Sequence, residues 1–162
     1  MLIDQLPLLT AIAFSAAALT ATMFIGWLAS RGDAYLLSWA LGLLPVVGGV
    51  VCFGVNGESF RPWLQFMAFA LVIVGLTFIH MGALQFRGER RFIGNVVTLG
   101  VGLIVLTGAP FLADLAGVGT IVGNVALAFL LTLSGREYWL GREEARLPMT
   151  VNAALYVATA LS

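Results

Sequence analysis

The sequence contains no lysine, a single cysteine and a single histidine among its 162 residues. Without a lysine amine, the chain cannot form a Schiff base to retinal or pyridoxal phosphate. Cys52 has no second cysteine for an intrachain disulfide, and His80 by itself cannot build a zinc or di-metal site. These absences exclude several classes of cofactor-dependent enzyme.

Charge is also scarce. Eight arginines and eight acidic residues make up 10% of the chain, whereas 60% is hydrophobic and the mean hydropathy is +1.02. A typical soluble domain is about 25% charged, so this composition cannot cover the surface of a soluble globule. The net charge of zero argues against nucleic acid as a partner. The predicted partner is the lipid bilayer.

The charged residues divide the chain into apolar runs of the length that a membrane requires. A helix needs about 20 mainly apolar residues to cross the hydrocarbon core. The sequence therefore predicts a single all-α domain over 1–162, a polytopic transmembrane helical bundle of five full spans and a partial or truncated sixth. The predicted spans are about 6–29, 34–55, 62–86, 92–112, 118–140 and 148–162. The shortness of the last span favours a piece of a longer protein over a partial insertion.

The arginines predict the orientation of the bundle. Seven of the eight lie in or beside the first, third and fifth connections, and only Arg61 lies in the second. Because positively charged connections stay in the cytoplasm, the N-terminus is expected outside. The fourth connection carries no arginine, and Asp114, Gly117 and Gly119 are expected to form its turn.

His80 lies towards the inner part of the predicted third span. An ionisable side chain inside a membrane marks a functional site by default. Three interpretations stay open: an imidazole hydrogen-bonded within the bundle, a proton-sensitive switch, or an axial haem ligand with Met81 or Met67 nearby. The first interpretation is favoured, and no cofactor or metal is assigned.

Other polar side chains at membrane depth include Thr77, Asn95 and Asn124. Hydrogen bonds from such residues to neighbouring helices contribute roughly 0.6–2 kcal/mol each. We interpret these residues mainly as polar contacts between helices. The alternative is a small ligand pocket or a water path, so Thr77, His80, Asn95 and Asn124 are the candidate sensory positions.

Several of the 19 glycines recur at helical spacing. Small residues let helix backbones approach closely in lipid, where the hydrophobic effect no longer drives association. Six glycines on three spans are therefore predicted to form packing faces, within the chain or between protomers. They are Gly75, Gly82, Gly94, Gly102, Gly119 and Gly123.

A charged segment from Arg136 to Arg146 follows the fifth span. Glu143 and Arg146 are three residues apart, a spacing that lets them pair on one helix face. The segment is interpreted as a helix leaving the membrane, either a solvated cytoplasmic region or a rigid extension coupled to something in the cytoplasm. The sequence shows no catalytic pair of carboxylates, no nucleophile with its base and no Cys/His cluster, so this chain as it stands is predicted not to be an enzyme.

Short motifs occur near the borders of the predicted spans. They are Gly-Trp at 26–27, Ser-Trp-Ala-Leu-Gly at 38–42, Phe-Arg-Pro-Trp at 60–63, Gly-Ala-Leu-Gln-Phe-Arg-Gly at 82–88, and Arg-Glu-Tyr-Trp at 136–139 with Glu-Glu and Leu-Pro after it. In these motifs the chain resembles the multi-spanning N-terminal membrane module of bacterial diguanylate cyclases of the GGDEF type. Similar modules precede some histidine kinases.

The resemblance implies a sensory or regulatory input module in a bacterial inner membrane, with a cytoplasmic output domain beyond residue 162. It also implies a homodimer, because dimeric output domains need paired inputs. The sequence holds no GGDEF motif, so no catalytic or nucleotide-binding residue is carried over. Two other functions stay open: a small transporter or channel subunit, and a haem-bearing or quinone-linked membrane subunit.

Overall fold

The computed structural model describes residues 5–56 and 60–140, and every regular element in this part of the chain is helical. The elements are α1 Gln5–Ala29, α2 Ala34–Asn56, α3 Pro62–Phe86, a 3₁₀ turn Arg90–Phe92, α4 Ile93–Leu112 and α5 Ala116–Leu140. The all-α prediction is confirmed for these residues. The predicted sixth span at 148–162 lies outside them, as does the charged stretch from 141 to 146.

In the part of the chain that the structure describes, four helical segments are long and apolar enough to cross a membrane: Ala34–Asn56, Pro62–Phe86, Arg90–Leu112 and Ala116–Leu140. The apolar stretch Phe14–Ala29 of α1 is shorter. Large apolar side chains lie on the outer faces of the helices, where a water-soluble bundle carries polar groups. These helices fit a membrane protein.

Helix α3 lies at the centre of the bundle. It packs against α2, α4 and α5, while α1 packs against α2. A cluster of buried apolar side chains joins α3 to α5, and its members are Ile73, Leu76, Ile79, Ala126 and Leu130. Because the connections are short, consecutive helices run antiparallel, and α3 and α5 therefore run in the same direction.

Helix α3 ends in a Schellman motif, in which a left-handed residue after the helix closes its last turn. That residue is Gly88, with φ of +75°. Its N–H donates to the carbonyl of Gln85 at 3.0 Å, and the N–H of Glu89 donates to that of Leu84 at 2.9 Å. The sharp turn keeps Arg87 and Glu89 at the same end of the bundle.

The turn between α4 and α5 differs from the prediction. Asp114 is its left-handed residue, with φ of +58°. Gly117 and Gly119 were expected in this turn, and that prediction is wrong, because α5 begins at Ala116 and contains both glycines. Aspartate tolerates the left-handed conformation because its short polar side chain bonds locally.

The closest helix approach is between α2 and α3. A Cβ atom added at Gly75 would lie 2.5 Å from the carbonyl oxygen of Gly42, and one added at Gly42 would lie 2.7 Å from that of Gly75. Seven residues further along α3, Gly82 lies against the indole ring of Trp39. The two backbones are therefore in contact where Gly42 and Gly75 cross, and Gly42 is a packing residue that the sequence analysis missed.

Two predicted packing glycines of α5 lie against phenylalanine rings. A Cβ atom at Gly119 would meet the ring of Phe111 at 2.5 Å, and one at Gly123 would meet that of Phe69 at 2.7 Å. Phe69 is fully buried, so its ring has no room to move aside. Larger residues at these two positions would force α5 away from its neighbours.

Gly94 and Gly102 of α4 do not pack against the described helices. A Cβ atom at either position would meet nothing within 4 Å. Neither glycine therefore forms a packing face with the described helices, and packing against the rest of the chain or between protomers stays a prediction. Two other glycines of α4 are packed: a Cβ atom at Gly100 would lie 2.6 Å from the hydroxyl oxygen of Thr77, and one at Gly108 would lie 2.9 Å from the ring of Phe66.

Candidate functional site

An ion pair joins the end of α3 to the end of α5. The Nη1 atom of Arg87 donates a hydrogen bond to Oε2 of Glu137, although the two residues are 50 positions apart in sequence. The Glu137 side chain is 8% exposed and that of Arg87 is 24% exposed. Glu137 is therefore not part of a solvated cytoplasmic region, and that interpretation is wrong for this residue because its carboxylate lies inside the bundle.

A second arginine faces the same carboxylate from the outside. The Nη1 atom of Arg136 lies 3.7 Å from Oε1 of Glu137, and the Arg136 side chain is 67% exposed. Each oxygen of Glu137 thus has its own guanidinium group. A buried carboxylate is costly unless it is paired and hydrogen-bonded, so the inner partner, Arg87, is the one on which its burial depends.

His80 lies two helical turns before Arg87, on the same side of α3. It is buried, as is Ser134, which lies one turn before Glu137 in α5. The Nδ1 atom of His80 and the hydroxyl oxygen of Ser134 are 3.5 Å apart. The direction of this bond depends on the histidine tautomer. The contact is of the kind expected for an imidazole hydrogen-bonded within the bundle.

His80, Arg87 and Glu137 line a cavity of about 430 Å³ that lies between the ends of α3 and α5 and the beginning of α4. Its polar lining consists of three arginines, two glutamates, a histidine and an asparagine. These residues are Arg87, Arg91, Arg136, Glu89, Glu137, His80 and Asn95. The rest of the lining is apolar, mostly leucine. The cavity therefore combines a charged part with an apolar part at one end of the bundle.

The charges that line the cavity do not cancel. Glu137 is shared by two arginines, and Nε of Arg91 lies 3.7 Å from Oε2 of Glu89. The Arg91 side chain is 78% exposed, so this second pair is screened by solvent. Among the described residues, three guanidinium groups face two carboxylates across the cavity, which leaves one excess positive charge in this part of the chain.

The structure brings only some of the candidate sensory residues together. His80 and Asn95 line the cavity. Thr77 instead donates its hydroxyl hydrogen to the carbonyl of Ile73 in its own helix, at 2.7 Å. Asn124 is exposed on α5, 13 residues before Glu137 and so about 20 Å away along the helix. A path shared by His80, Asn95 and Asn124 is therefore not formed by the described residues.

Sequence analysis missed three residues of the site: Arg87, Ser134 and Glu137. Each had been treated as a border residue or left unassigned. The sequence did contain a pattern that indicates these contacts. Helices α3 and α5 run in the same direction, and the polar residues that meet across them are separated by similar numbers of positions. His80 and Ser134 are 54 positions apart, and Arg87 and Glu137 are 50 apart.

Helix α2 is tied to α3 at the same end of the bundle. The Ser38 hydroxyl donates to Oε1 of Gln85 at 2.9 Å, and the indole N–H of Trp39 donates to the carbonyl of Ile79 at 3.2 Å. The ring of Tyr138 in α5 lies 6.0 Å from that of Trp39, centroid to centroid. At this end of the bundle α2 is therefore linked to α3 and α5 by specific contacts.

Among the described residues, no three His, Cys, Asp or Glu side chains lie close enough together to hold a metal ion. Comparison of the chain with protein-family models, with curated proteins and with solved structures found no match in any of the three.

Proposed function

We propose that the chain is the membrane-embedded sensory or regulatory input module of a signalling protein. In this proposal α1 to α5 are five full spans of a bacterial inner-membrane bundle, 148–162 begins a sixth, and the N-terminus lies outside. The output is a cytoplasmic domain, in the first place a diguanylate cyclase of the GGDEF type. The proposal is supported by the resemblance described above and by the one-sided distribution of arginine.

The observation that carries the proposal is the buried ion pair between Arg87 and Glu137. It connects the central helix α3 to α5 three residues before the last residue of α5. In the sequence, the charged stretch Gly-Arg-Glu-Glu-Ala-Arg follows at once. A link at this position is suited to pass a change in the bundle to whatever follows α5.

The physical basis of such coupling is a choice between two arrangements. Arg87 can pair with Glu137, or Glu137 can be left to the exposed Arg136 while Arg87 takes another anion. A stimulus acts by binding one arrangement better than the other, and it shifts the populations only by that difference. His80 lines the same cavity as Arg87 and Glu137, so a change at the cavity reaches the ion pair directly.

A transporter or channel is less well supported. A path across the membrane needs polar groups at every depth, whereas the cavity is lined only by residues from 80–99 and 133–140. These residues all belong to one end of the bundle. For a haem-bearing subunit, no observation in the described part of the chain adds to His80, whose ring already contacts Ser134.

The proposal is tested by expressing the natural reading frame that contains this chain and measuring cyclic-di-GMP in the cells. We expect Glu137→Gln to change the cyclic-di-GMP level by about fivefold or more at equal protein level, the size of an ordinary allosteric coupling. Arg90→Gln is the matched control, because Arg90 is exposed and does not line the cavity. A reading frame that encodes no signalling output domain, or equal output from wild type and Glu137→Gln, would contradict the proposal.

A further inference from the structure

We infer that the cavity at the end of α3, α4 and α5 binds the phosphate of an anionic phospholipid headgroup. The inference depends on the membrane placement in the proposed function but not on the signalling output. Its first support is charge: within residues 5–56 and 60–140, Arg87, Arg91 and Arg136 face two carboxylates across the cavity. A phosphodiester carries one negative charge, which matches the single excess positive charge.

The second support is the availability of donors. Arg91 and Arg136 are mostly exposed, and each lies 3.7 Å from its carboxylate, too far for a hydrogen bond. Their guanidinium N–H groups therefore remain available to an incoming anion, and guanidinium groups match the geometry of phosphate oxygens. The side-chain amide of Asn95 adds another donor at the cavity wall.

The third support is the position of the cavity. It lies where α3 and α5 end and α4 begins, so its charged part is at the boundary of the apolar spans. Basic pockets between spans on the cytoplasmic side are typical sites for acidic lipid headgroups. The arginine distribution predicts the cytoplasmic side for this end.

The apolar lining favours a lipid over a free anion. Leu99 of α4 and Leu133 of α5 line the cavity on the side towards the middle of the bundle. A free phosphate gains nothing from contact with this apolar surface, because the ion has no apolar area to bury. A phospholipid places its headgroup among the arginines and an acyl chain along the leucines.

The test measures lipid binding by the purified chain itself. Native mass spectrometry in detergent gives the affinities for phosphatidylglycerol and for zwitterionic phosphatidylcholine. We expect a clear preference for phosphatidylglycerol, weakened about fivefold in Arg91→Gln and in Arg136→Gln, as expected for one arginine near a lipid phosphate. Arg90→Gln is again the matched control and should bind like wild type. Thermal unfolding checks that each variant is folded.

The lipid affinities of the three arginine variants decide whether the inference holds. A preference that falls equally in all three arginine variants, or no preference at all, would overturn it, because the attraction would then be general surface charge. Displacement of phosphatidylglycerol by millimolar inorganic phosphate would show a free-anion site and overturn the lipid assignment. The measurement needs no output domain, so a failure here leaves the proposed signalling function standing, and the reverse is also true.

Discussion

At the scale of single residues, the most informative feature is one buried carboxylate, that of Glu137. Glu137 is surrounded by apolar helices, yet its two oxygens face Arg87 and Arg136. Removing one member of a buried pair leaves the other without its partner, which costs more than the pair contributes. The two arginines differ in exposure, so their contributions to stability should differ as well.

We expect Glu137→Gln to lower the free energy of unfolding by about 1–3 kcal/mol, because Arg87 loses a charge-assisted hydrogen bond. In a double-mutant cycle with Arg87→Gln, the coupling energy should exceed about 0.5 kcal/mol, the lower bound for contacting residues. The exposed pair is the internal control, and Arg136→Gln should cost less than about 1 kcal/mol. Denaturation in mixed micelles measures the free energy of unfolding of the four members of the cycle and of Arg136→Gln. Additive effects of Arg87→Gln and Glu137→Gln would show that the ion pair is not formed.

At the scale of the helices, α2 and α3 are held together by small residues at heptad spacing. Gly42 and Gly49 of α2 face Gly75 and Ala68 of α3, respectively, with backbone atoms of α3 within reach of an added Cβ atom. A seven-residue repeat keeps one face of each helix on its partner over several turns. Helices α2 and α3 lie close together because no side chain separates their backbones where Gly42 meets Gly75.

Gly75→Leu should therefore lower stability by about 2 kcal/mol or more, because the obstacle at 2.5 Å is the backbone oxygen of Gly42 and cannot turn away. Gly94→Leu is the matched control in α4, where an added Cβ atom meets nothing within 4 Å. Thermal unfolding in detergent compares the two. Equal stability of both variants would mean that α2 and α3 do not cross at this glycine.

The bounds of the helices were largely predictable from the sequence, but their packing faces were not. Charged and turn-forming residues mark where an apolar run stops, so the predicted bounds differ from the observed ones by one or two residues at most. The outward position of Gly94 and Gly102 was not predictable, because α4, which contains both, is apolar on every side. Without an apolar and a polar face, the sequence does not tell which side meets a neighbour.

At the scale of the whole molecule, the charged site lies at one end of an otherwise apolar bundle. Sequence analysis identified His80 and Asn95 but could not bring them together with Glu137, because that requires knowing that α3 and α5 lie side by side. Glu137 belongs to a charged segment of the sequence, and the local composition therefore predicts that its side chain is solvated. Burial of Glu137 depends on Arg87, 50 residues earlier.

We propose that this site lies at the cytoplasmic end of a bundle that crosses the membrane. Single cysteines introduced into a Cys52→Ala background test it through labelling of spheroplasts with an impermeant maleimide. Gly32→Cys marks the site end, because Gly32 lies in the exposed turn before α2, and Phe60→Cys and Ala113→Cys mark the opposite end. We predict labelling of the cysteines at 60 and 113 in intact spheroplasts, and of the cysteine at 32 only after lysis. Labelling of the cysteine at 32 in intact spheroplasts, with those at 60 and 113 protected, would contradict the account.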